Sequence, residues 1–322
     1  MRVALIGYGV MGKNHYRNMK RFSYVDVVGV CDPVLNDGEL EEPVYSSLSG
    51  LLSEQKPQAA ILSVPTIMHR DTALECIKNG VSILIEKPVA ATVEQGREIA
   101  EAASRAGVRA AVGHVERFNP VVLSLLKEIE GKKIYSIGIT RIGPVPPRIK
   151  DVGVLVDLSV HDIDLIRYLS PGTEIVKATI YKSNKANEAN QQEDNAVVSM
   201  KLDNDVVASI TTNWLTPFKK RTIEIATDGA YYEANLITQE LREFSDYKAN
   251  NSYVIRNCFV AKGEPLHFEH EAFYKYVETG EPGHLALIED GLETLRILGR
   301  TEPAVALGVG SRRSSDLAGV QH

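Results

Sequence analysis

A glycine-rich run near the start of the chain has the residue types and spacing that hold a dinucleotide. Gly7, Gly9 and Gly12 form the pattern Gly-x-Gly-x-x-Gly, with Val10 and Met11 before the last glycine. Gly7 permits a tight turn, Gly9 lets the backbone approach a pyrophosphate, and Gly12 allows a helix to pack closely on a strand. The unpaired N–H groups at the start of that helix can then bind the anion. The run therefore predicts a dinucleotide site.

An aspartate at the end of the second predicted strand indicates which dinucleotide binds. The Asp32 carboxylate can accept hydrogen bonds from both hydroxyls of the adenosine ribose, and it repels the 2′-phosphate of NADP. Pro33 and Val34 follow it and supply no arginine for such a phosphate, although Arg17 or Arg21 could approach from the first helix. We therefore expect NAD as the cofactor, with NADP the less favoured one.

The elements that position these residues alternate between short β-branched runs and helical segments over the first 113 residues. This alternation predicts an α/β fold, a doubly wound parallel sheet of the Rossmann type with helices on both faces. The predicted strands are Val3 to Ile6, Val25 to Cys31, a weaker one near Val44, Ala59 to Val64, Val81 to Ile85 and Val108 to Val112.

A second pattern begins after the sixth strand and predicts an α+β domain. Residues 174–244 are strand-like and broken by turn signals such as Asp203-Asn204 and Asp228-Gly229, which indicates a mainly antiparallel open sheet. An open sheet of this kind commonly pairs with another copy, so we expect a homo-oligomer, a dimer or a tetramer. The predicted division is a dinucleotide-binding domain at 1–118, a substrate and oligomerisation domain at 119–302, and an irregular tail at 303–322.

Composition narrows the function to the binding of a small molecule. The 322 residues carry a formal net charge of −6, which argues against a nucleic-acid partner. No apolar run approaches the ~18 residues of a membrane span, and the first strand is unlike a signal peptide. The odd number of widely spaced cysteines makes disulfides improbable and a cytoplasmic location the expectation. We expect all three to be packing residues: Cys31, Cys76 and Cys258.

Further motifs stand at the ends of predicted strands and on a predicted helix of the second domain. They are Ser63-Val64-Pro65 with a following His69, Glu86-Lys87-Pro88, and Asp157-Leu158-Ser159-Val160-His161. In this order, after the glycine-rich run, they resemble the glucose–fructose oxidoreductase, inositol dehydrogenase and rhizopine catabolism family, known as Gfo/Idh/MocA. The resemblance extends over roughly residues 1 to 300, and the tail beyond Glu302 departs from it.

The resemblance implies an NAD-dependent enzyme that oxidises a secondary hydroxyl of a sugar or polyol. It places the catalytic roles on Lys87, Asp157 and His161. His161 suits a base because the ordinary pKa of histidine is about 6.5, and Lys87 can stabilise a developing alkoxide. Asp157 is expected on the same helical face as His161, where it can orient the ring. Either Lys87 or His161 could accept the proton. The implied cofactor contacts beyond the glycine-rich run and Asp32 are Ser63, Pro65, His69, Glu86 and Lys87.

Two local expectations accompany these motifs. The Lys87-Pro88 bond is predicted to be cis, because X-Pro is the one context in which the cis form is inexpensive. Asp162 and Asp164 could suggest a metal site, but no second histidine or cysteine stands at ligand spacing, so we expect no metal. Asp162 is expected to support the site, and Asp164 to lie on the helix surface or at a domain contact.

The substrate assignment comes from the residues that lead into the second domain. The run from Gly113 to Pro120 and the loop before Asp157 resemble the branch that contains UDP-N-acetylglucosamine 3-dehydrogenases. Positive charge ahead of the catalytic helix could clamp a diphosphate. The predicted substrate contacts are Arg117, Asn119, Arg141, Arg148 and His161. A free polyol or sugar dehydrogenase of the inositol type and a non-catalytic NAD-binding sensor remain as alternatives.

Overall fold

A parallel sheet formed by the first part of the chain carries the glycine-rich run at its carboxyl edge. The computed structural model describes residues 1–36, 38–145, 153–184 and 192–299. Six parallel strands form the order β6-β5-β4-β1-β2-β3, with bounds β1 (Arg2–Ile6), β2 (Asp26–Cys31), β3 (Val44–Tyr45), β4 (Ala59–Leu62), β5 (Ser82–Glu86) and β6 (Ala110–Gly113). Strand β4 is buried along its whole length, as expected of a central parallel strand. The predicted Rossmann sheet is confirmed.

Helices cover this sheet and continue into the second half of the chain. Thr92 begins one of them by accepting the Gln95 N–H, and Gly107 ends it with φ +68°. The helices are α1 (Val10–Met19), α2 (Leu48–Gln55), α3 (His69–Lys78), α4 (Val93–Ala106), α5 (Pro120–Ile129), α6 (Val160–Leu169), α7 (Pro265–Thr279) and α8 (Ile288–Gly299). One turn of π-helix, Leu155–Ser159, leads directly into α6.

The second sheet has eight strands and is antiparallel except where β7 and β10 pair. Its order is β14-β13-β12-β11-β7-β10-β9-β8, with bounds β7 (Ile134–Pro144), β8 (Ile175–Ser183), β9 (Asn195–Leu202), β10 (Val207–Asn213), β11 (Leu215–Thr227), β12 (Ala230–Asn235), β13 (Glu240–Ser245) and β14 (Val254–Cys258). The prediction of a mainly antiparallel second sheet is confirmed.

The described residues cover one face of the second sheet and leave the other open. In β9, alternate residues from Ala196 to Leu202 are buried in a core shared with α5 and α6. The opposite face exposes apolar side chains, among them Tyr181, Val197, Val207 and Tyr231. An exposed apolar face of this size is typical of an interaction surface.

The last described segment returns to the first sheet. Phe273 and Tyr274 of α7 are buried in the core beneath β1. Strand β15 (Ala286–Leu287) then joins the edge of β6 in the antiparallel direction, and α8 packs on α4, with Leu292 against Gly96. The domain division after residue 118 stays a prediction, but the residues after 264 complete the core of the dinucleotide-binding half.

Two further sequence expectations concern the cysteines and the membrane. Cys31, Cys76 and Cys258 are unpaired and buried, so they pack in the interior as predicted. Within the described residues, no helix is long and apolar enough to cross a membrane.

Candidate active site

The glycine-rich run forms a cradle with one open side. A Cβ on Gly7 would lie 2.7 Å from the Ser63 carbonyl oxygen, and one on Gly12 would lie 2.1 Å from the Gly7 carbonyl oxygen. Gly7 also has φ +92°, a conformation that favours glycine. A Cβ on Gly9, by contrast, would meet no atom within 4 Å among the described residues. Turn and helix are therefore tightly packed at Gly7 and Gly12, while Gly9 leaves the space that a pyrophosphate needs.

Asp32 is held in place beside this cradle. Its Oδ2 accepts the Tyr8 N–H at 2.7 Å, and its Oδ1 accepts the Val34 N–H at 2.9 Å. A carboxylate offers about four acceptor positions, so two remain for the ribose hydroxyls. Arg17 and Arg21 both pair with Glu264. The two basic residues that could have served a 2′-phosphate are thus engaged elsewhere.

The loops after β4 and β5 are joined by a buried histidine. The ring nitrogens of His69 lie 2.9 Å from the carbonyl oxygens of Pro88 and Val64. Burial lowers the pKa of His69, so the neutral ring donates from one nitrogen to one of these two carbonyl oxygens. Its contact with the cofactor stays a prediction. Ser63 donates to the Gly7 carbonyl at 2.8 Å, and Pro65 is exposed beside it. The Lys87-Pro88 bond is cis, as predicted.

Lys87 and Asp157 connect the two halves of the molecule. The Lys87 Nζ donates to the main-chain oxygen of Asp157 at 2.8 Å and lies 3.6 Å from its Oδ1. Burial lowers the pKa of Lys87, although the Asp157 carboxylate opposes this. Asp157 thus contacts Lys87. It lies in the π-helical turn that leads into α6, and its expected orientation of the His161 ring stays a prediction.

His161 stands in the first turn of α6, a short step along the chain from Asp157. Burial, followed by the nearby charges of Lys87 and Arg141, lowers the pKa of His161 well below its usual value. The positive end of the helix also disfavours an imidazolium at this position. The ring is therefore neutral near pH 7 and able to accept a proton. Its Nδ1 is buried without a hydrogen-bond partner among the described residues, whereas the residue as a whole is partly exposed.

A buried hydrogen-bonded network begins at the main chain of Lys87. Glu86 Oε2 accepts the Lys87 N–H at 3.2 Å, and Glu86 Oε1 lies 2.9 Å from His15 Nε2. His15 Nδ1 in turn lies 2.8 Å from His270 Nε2 on α7. This network links the helix of the glycine-rich run, the loop that carries Lys87, and α7 of the C-terminal segment. Sequence reasoning missed His15 and His270, because only the tertiary structure brings α1 and α7 together.

The first of two buried ion-pair groups lies beneath α6. Arg117 holds Asp164 with two bonds, of 2.8 Å from Nε and 2.6 Å from Nη2, and its Nη2 lies 3.3 Å from Asp290. Arg117 and Asp164 are both almost fully buried. Asp164 is therefore a domain contact and not a helix-surface charge.

The second group joins α6 to β7 and to the turn after β6. Arg141 Nε lies 2.8 Å from Asp162 Oδ1, and Arg141 Nη1 lies 2.8 Å from Glu116 Oε1. The same Glu116 oxygen is 3.4 Å from Arg221 Nη1. Arg141 is buried, whereas the Arg221 side chain is 38% exposed. Asp162 pairs with an arginine whose charge acts on His161, and its expected role in supporting the site stays a prediction.

These contacts correct three of the predicted substrate residues. Arg117 and Arg141 are buried and bonded to carboxylates, so neither is free to clamp a diphosphate. Asn119 is also buried, where it accepts the Val121 N–H at the start of α5 and donates to the Leu236 carbonyl oxygen at 3.0 Å. Arginine in a sequence does not reveal whether its partner is a ligand or a buried aspartate. The fourth predicted contact, Arg148, lies outside the described residues.

Two family profiles match the chain in succession. A profile described as an oxidoreductase family with an NAD-binding Rossmann fold matches residues 1–114, and one described as the GFO/IDH/MocA C-terminal domain matches residues 144–233. The chain belongs to the Gfo/Idh/MocA family. Membership confirms the predicted oxidoreductase class and the use of NAD, which the open cradle and Asp32 fit.

Relatives within the Gfo/Idh/MocA family differ in their substrates. The chain is 28% identical over 223 residues to inositol 2-dehydrogenase 2 of Saccharopolyspora erythraea, an alignment that covers 65% of this chain and 66% of that protein. It is 27% identical over 246 residues to the UDP-N-acetylglucosamine 3-dehydrogenase of Acidithiobacillus ferrooxidans, covering 75% and 76%. A solved structure of the latter enzyme shares the fold, with a TM-score of 0.83, 24% identity and coverage of 93% and 96%.

For this Gfo/Idh/MocA protein we expect kcat/KM with NAD to exceed that with NADP by roughly tenfold or more, because Asp32 repels the 2′-phosphate and Glu264 holds the nearby arginines. The measurement is steady-state kinetics with both cofactors. Asp32→Ser removes the charge and should narrow the ratio. Comparable values for the two cofactors in the wild type would contradict the role given to Asp32.

Proposed function

We propose that the protein is an NAD-dependent dehydrogenase that oxidises a secondary hydroxyl of a nucleotide sugar, with the 3-hydroxyl of UDP-N-acetylglucosamine as the first candidate. The observation that carries the proposal is the contact of Lys87 with Asp157 near His161, with Lys87 at the same carboxyl edge of the parallel sheet as the open dinucleotide cradle. These groups suit proton transfer from a hydroxyl.

The roles of the two proton-transfer groups follow from their surroundings. Bound NAD supplies the acceptor for the hydride that leaves the hydroxyl-bearing carbon. His161, neutral near pH 7, takes the hydroxyl proton at Nε2. Lys87 donates a hydrogen bond to the same oxygen and stabilises the negative charge that develops there. Asp157 fixes the Lys87 ammonium through its main-chain oxygen and its carboxylate.

The choice of a nucleotide sugar draws on similarity and on charge. The relative that aligns with 75% of this chain is named UDP-N-acetylglucosamine 3-dehydrogenase. A solved structure of the same fold, the WlbA dehydrogenase from Bordetella pertussis, was determined in complex with NADH and UDP-GlcNAcA. Arg148 precedes His161 by 13 positions in the sequence. Arg148 as a diphosphate contact stays a prediction. The partly exposed Arg221 is a further guanidinium beside the ion pairs that support His161.

The assignment is tested by following NADH absorbance with UDP-N-acetylglucosamine, UDP-glucose, myo-inositol and glucose side by side. We expect UDP-N-acetylglucosamine to give the highest kcat/KM. Arg148→Ala should mainly raise its KM, by roughly tenfold or more, because a charge-assisted hydrogen bond worth ~1.5–3 kcal/mol is lost far from the reacting carbon. Residual activity on free N-acetylglucosamine serves as the control and should be unchanged.

A free polyol is the second candidate, because the named relatives include inositol dehydrogenases. A preference for myo-inositol in the same panel, or an Arg148→Ala variant that behaves like the wild type towards UDP-N-acetylglucosamine, would establish it in place of the nucleotide sugar. The expected dimer or tetramer also stays a proposal, supported by the exposed apolar face of the second sheet and tested by light scattering.

A further inference from the structure

Buried polar atoms without partners gather behind His161. His114 is 2% exposed, and neither of its ring nitrogens has a hydrogen-bond partner among the described residues. Nδ1 of His161 is also buried without a hydrogen-bond partner among the residues that the structure describes. Buried polar atoms in native proteins are nearly always satisfied, by protein groups or by ordered water. Two histidines with such atoms side by side therefore point to a shared partner.

The geometry of the two rings fits one bridging water. The rings of His114 and His161 are perpendicular, with centroids 6.3 Å apart. At that separation a direct nitrogen–nitrogen hydrogen bond is out of reach, whereas two bonds of about 2.8–3.0 Å to one water span the gap. Nδ1 of His114 lies 3.7 Å from Asp164 Oδ2, so its Nε2 is the nitrogen left to face the water.

The surrounding charges favour a proton on His114 over one on His161. His161 is close to the cations Lys87, Arg141 and Arg221. The carboxylates of Asp164 and Asp290 raise the pKa of His114. They oppose burial and the charges of Arg117 and Lys87, which lower it. The pKa of His161 is accordingly lowered well below its usual value. The pKa of His114 is lowered as well, but the Asp164 carboxylate opposes that lowering.

We propose that His114 is a positioning residue that acts through His161: by way of one bridging water it holds the neutral His161 ring with its proton on Nδ1 and then receives that proton. The proposal rests on the proposed function, in which His161 accepts the substrate proton. It gives Asp164 a second task besides its ion pair with Arg117.

The proton transfer is balanced at each atom. The substrate O–H bond breaks as a bond forms from that proton to Nε2 of His161. The Nδ1–H bond of His161 breaks and its proton passes to the water, which gives one of its own protons to Nε2 of His114. His114 is then an imidazolium beside Asp164, and His161 is neutral again. When the product leaves, the same steps in reverse return the proton through His161 to solvent.

Nitrogen NMR of ¹⁵N-labelled histidine in the NAD-bound protein, without a sugar, tests the hydrogen-bond chain directly. In the wild type we expect neutral His161 to carry its proton on Nδ1. His114→Leu should change the ¹⁵N shifts of His161, because the chain then ends at the water. A wild-type proton on Nε2 of His161, or unchanged shifts in the variant, overturns the proposal. With no substrate present, the result does not depend on which sugar is oxidised.

Kinetics test the transfer itself, with UDP-N-acetylglucosamine or, if it does not react, the best sugar of the panel. His114→Gln keeps a hydrogen-bonding group but carries no proton, so kcat at pH 7 should fall roughly tenfold while both KM values change less than about twofold. The loss should shrink at higher pH, where hydroxide can deprotonate His161. The control is His284→Gln. His284 is hydrogen-bonded to Tyr168 and takes no part in the proposed proton transfer. An unchanged kcat, or a loss equal at every pH, overturns the proposal.

Discussion

Replacing Lys87 by alanine should lower kcat by roughly 10²-fold or more while NAD binding is retained. The ammonium is buried and fixed by Asp157. In the proposed mechanism it stabilises charge that develops only in the transition state, so its loss should affect kcat and not the affinity for the cofactor. His161→Ala should have an effect of similar size, because it removes the proposed proton acceptor. The measurements are steady-state kinetics and a fluorescence titration with NADH.

The pH profile separates the two residues. Since the pKa of His161 is lowered, the ring is neutral above that value, and kcat/KM should fall only as the pH drops through it and the ring becomes protonated. Residual activity of His161→Ala should lack this acidic limb. Lys78→Ala, an exposed lysine on α3, is the matched control and should leave kcat unchanged. A variant of Lys87 that raises KM and keeps kcat would show that the residue only binds substrate.

Breaking the buried Arg117–Asp164 pair should destabilise the fold strongly. In Arg117→Leu the Asp164 carboxylate stays buried without its two hydrogen bonds, a change that typically costs about 3–5 kcal/mol. The double variant Arg117→Leu, Asp164→Leu removes both charges and should recover most of that loss. The free energy of unfolding, measured in urea, checks both expectations.

An exposed ion pair provides the control for this experiment. Arg256 bonds to Glu128 and Glu243 at the surface. Arg256→Leu should change the free energy of unfolding by less than about 1 kcal/mol, because solvent screens exposed pairs. A small effect of Arg117→Leu, or a double variant as unstable as the single one, would mean that the buried pair is not what holds α6 in place.

The sequence predicted the elements whose local pattern is strong. The Rossmann strands are continuous apolar runs, and the glycine-rich run is typical of a turn between a strand and a helix. Both were therefore predicted from the sequence. Strand β15 was missed because two residues, Ala286 and Leu287, carry no periodicity and pair only through tertiary contact.

Within the site, prediction failed where the partner of a charged residue had to be known. Arg117 and Arg141 are predicted substrate contacts, but the two aspartates of α6 point inward and bind them. His69, a predicted cofactor contact, lies between the main-chain carbonyl oxygens of Val64 and Pro88, which the sequence could not show. Sequence spacing supplied the types of side chain. It could not show which charges are paired in the interior, since that depends on burial and on residues distant in the chain.

The return of the last described segment to the first sheet bears on the order in which the protein is made. Phe273 and Tyr274 fill the core under β1, and Leu287 closes the edge of β6. The dinucleotide-binding half therefore has its full interior only after the ribosome has added Leu287, when the residues of the second sheet have already been synthesised. Its edge strand and part of its interior are delivered last, so nascent chains released before that point should show an incomplete cofactor site when probed by limited proteolysis.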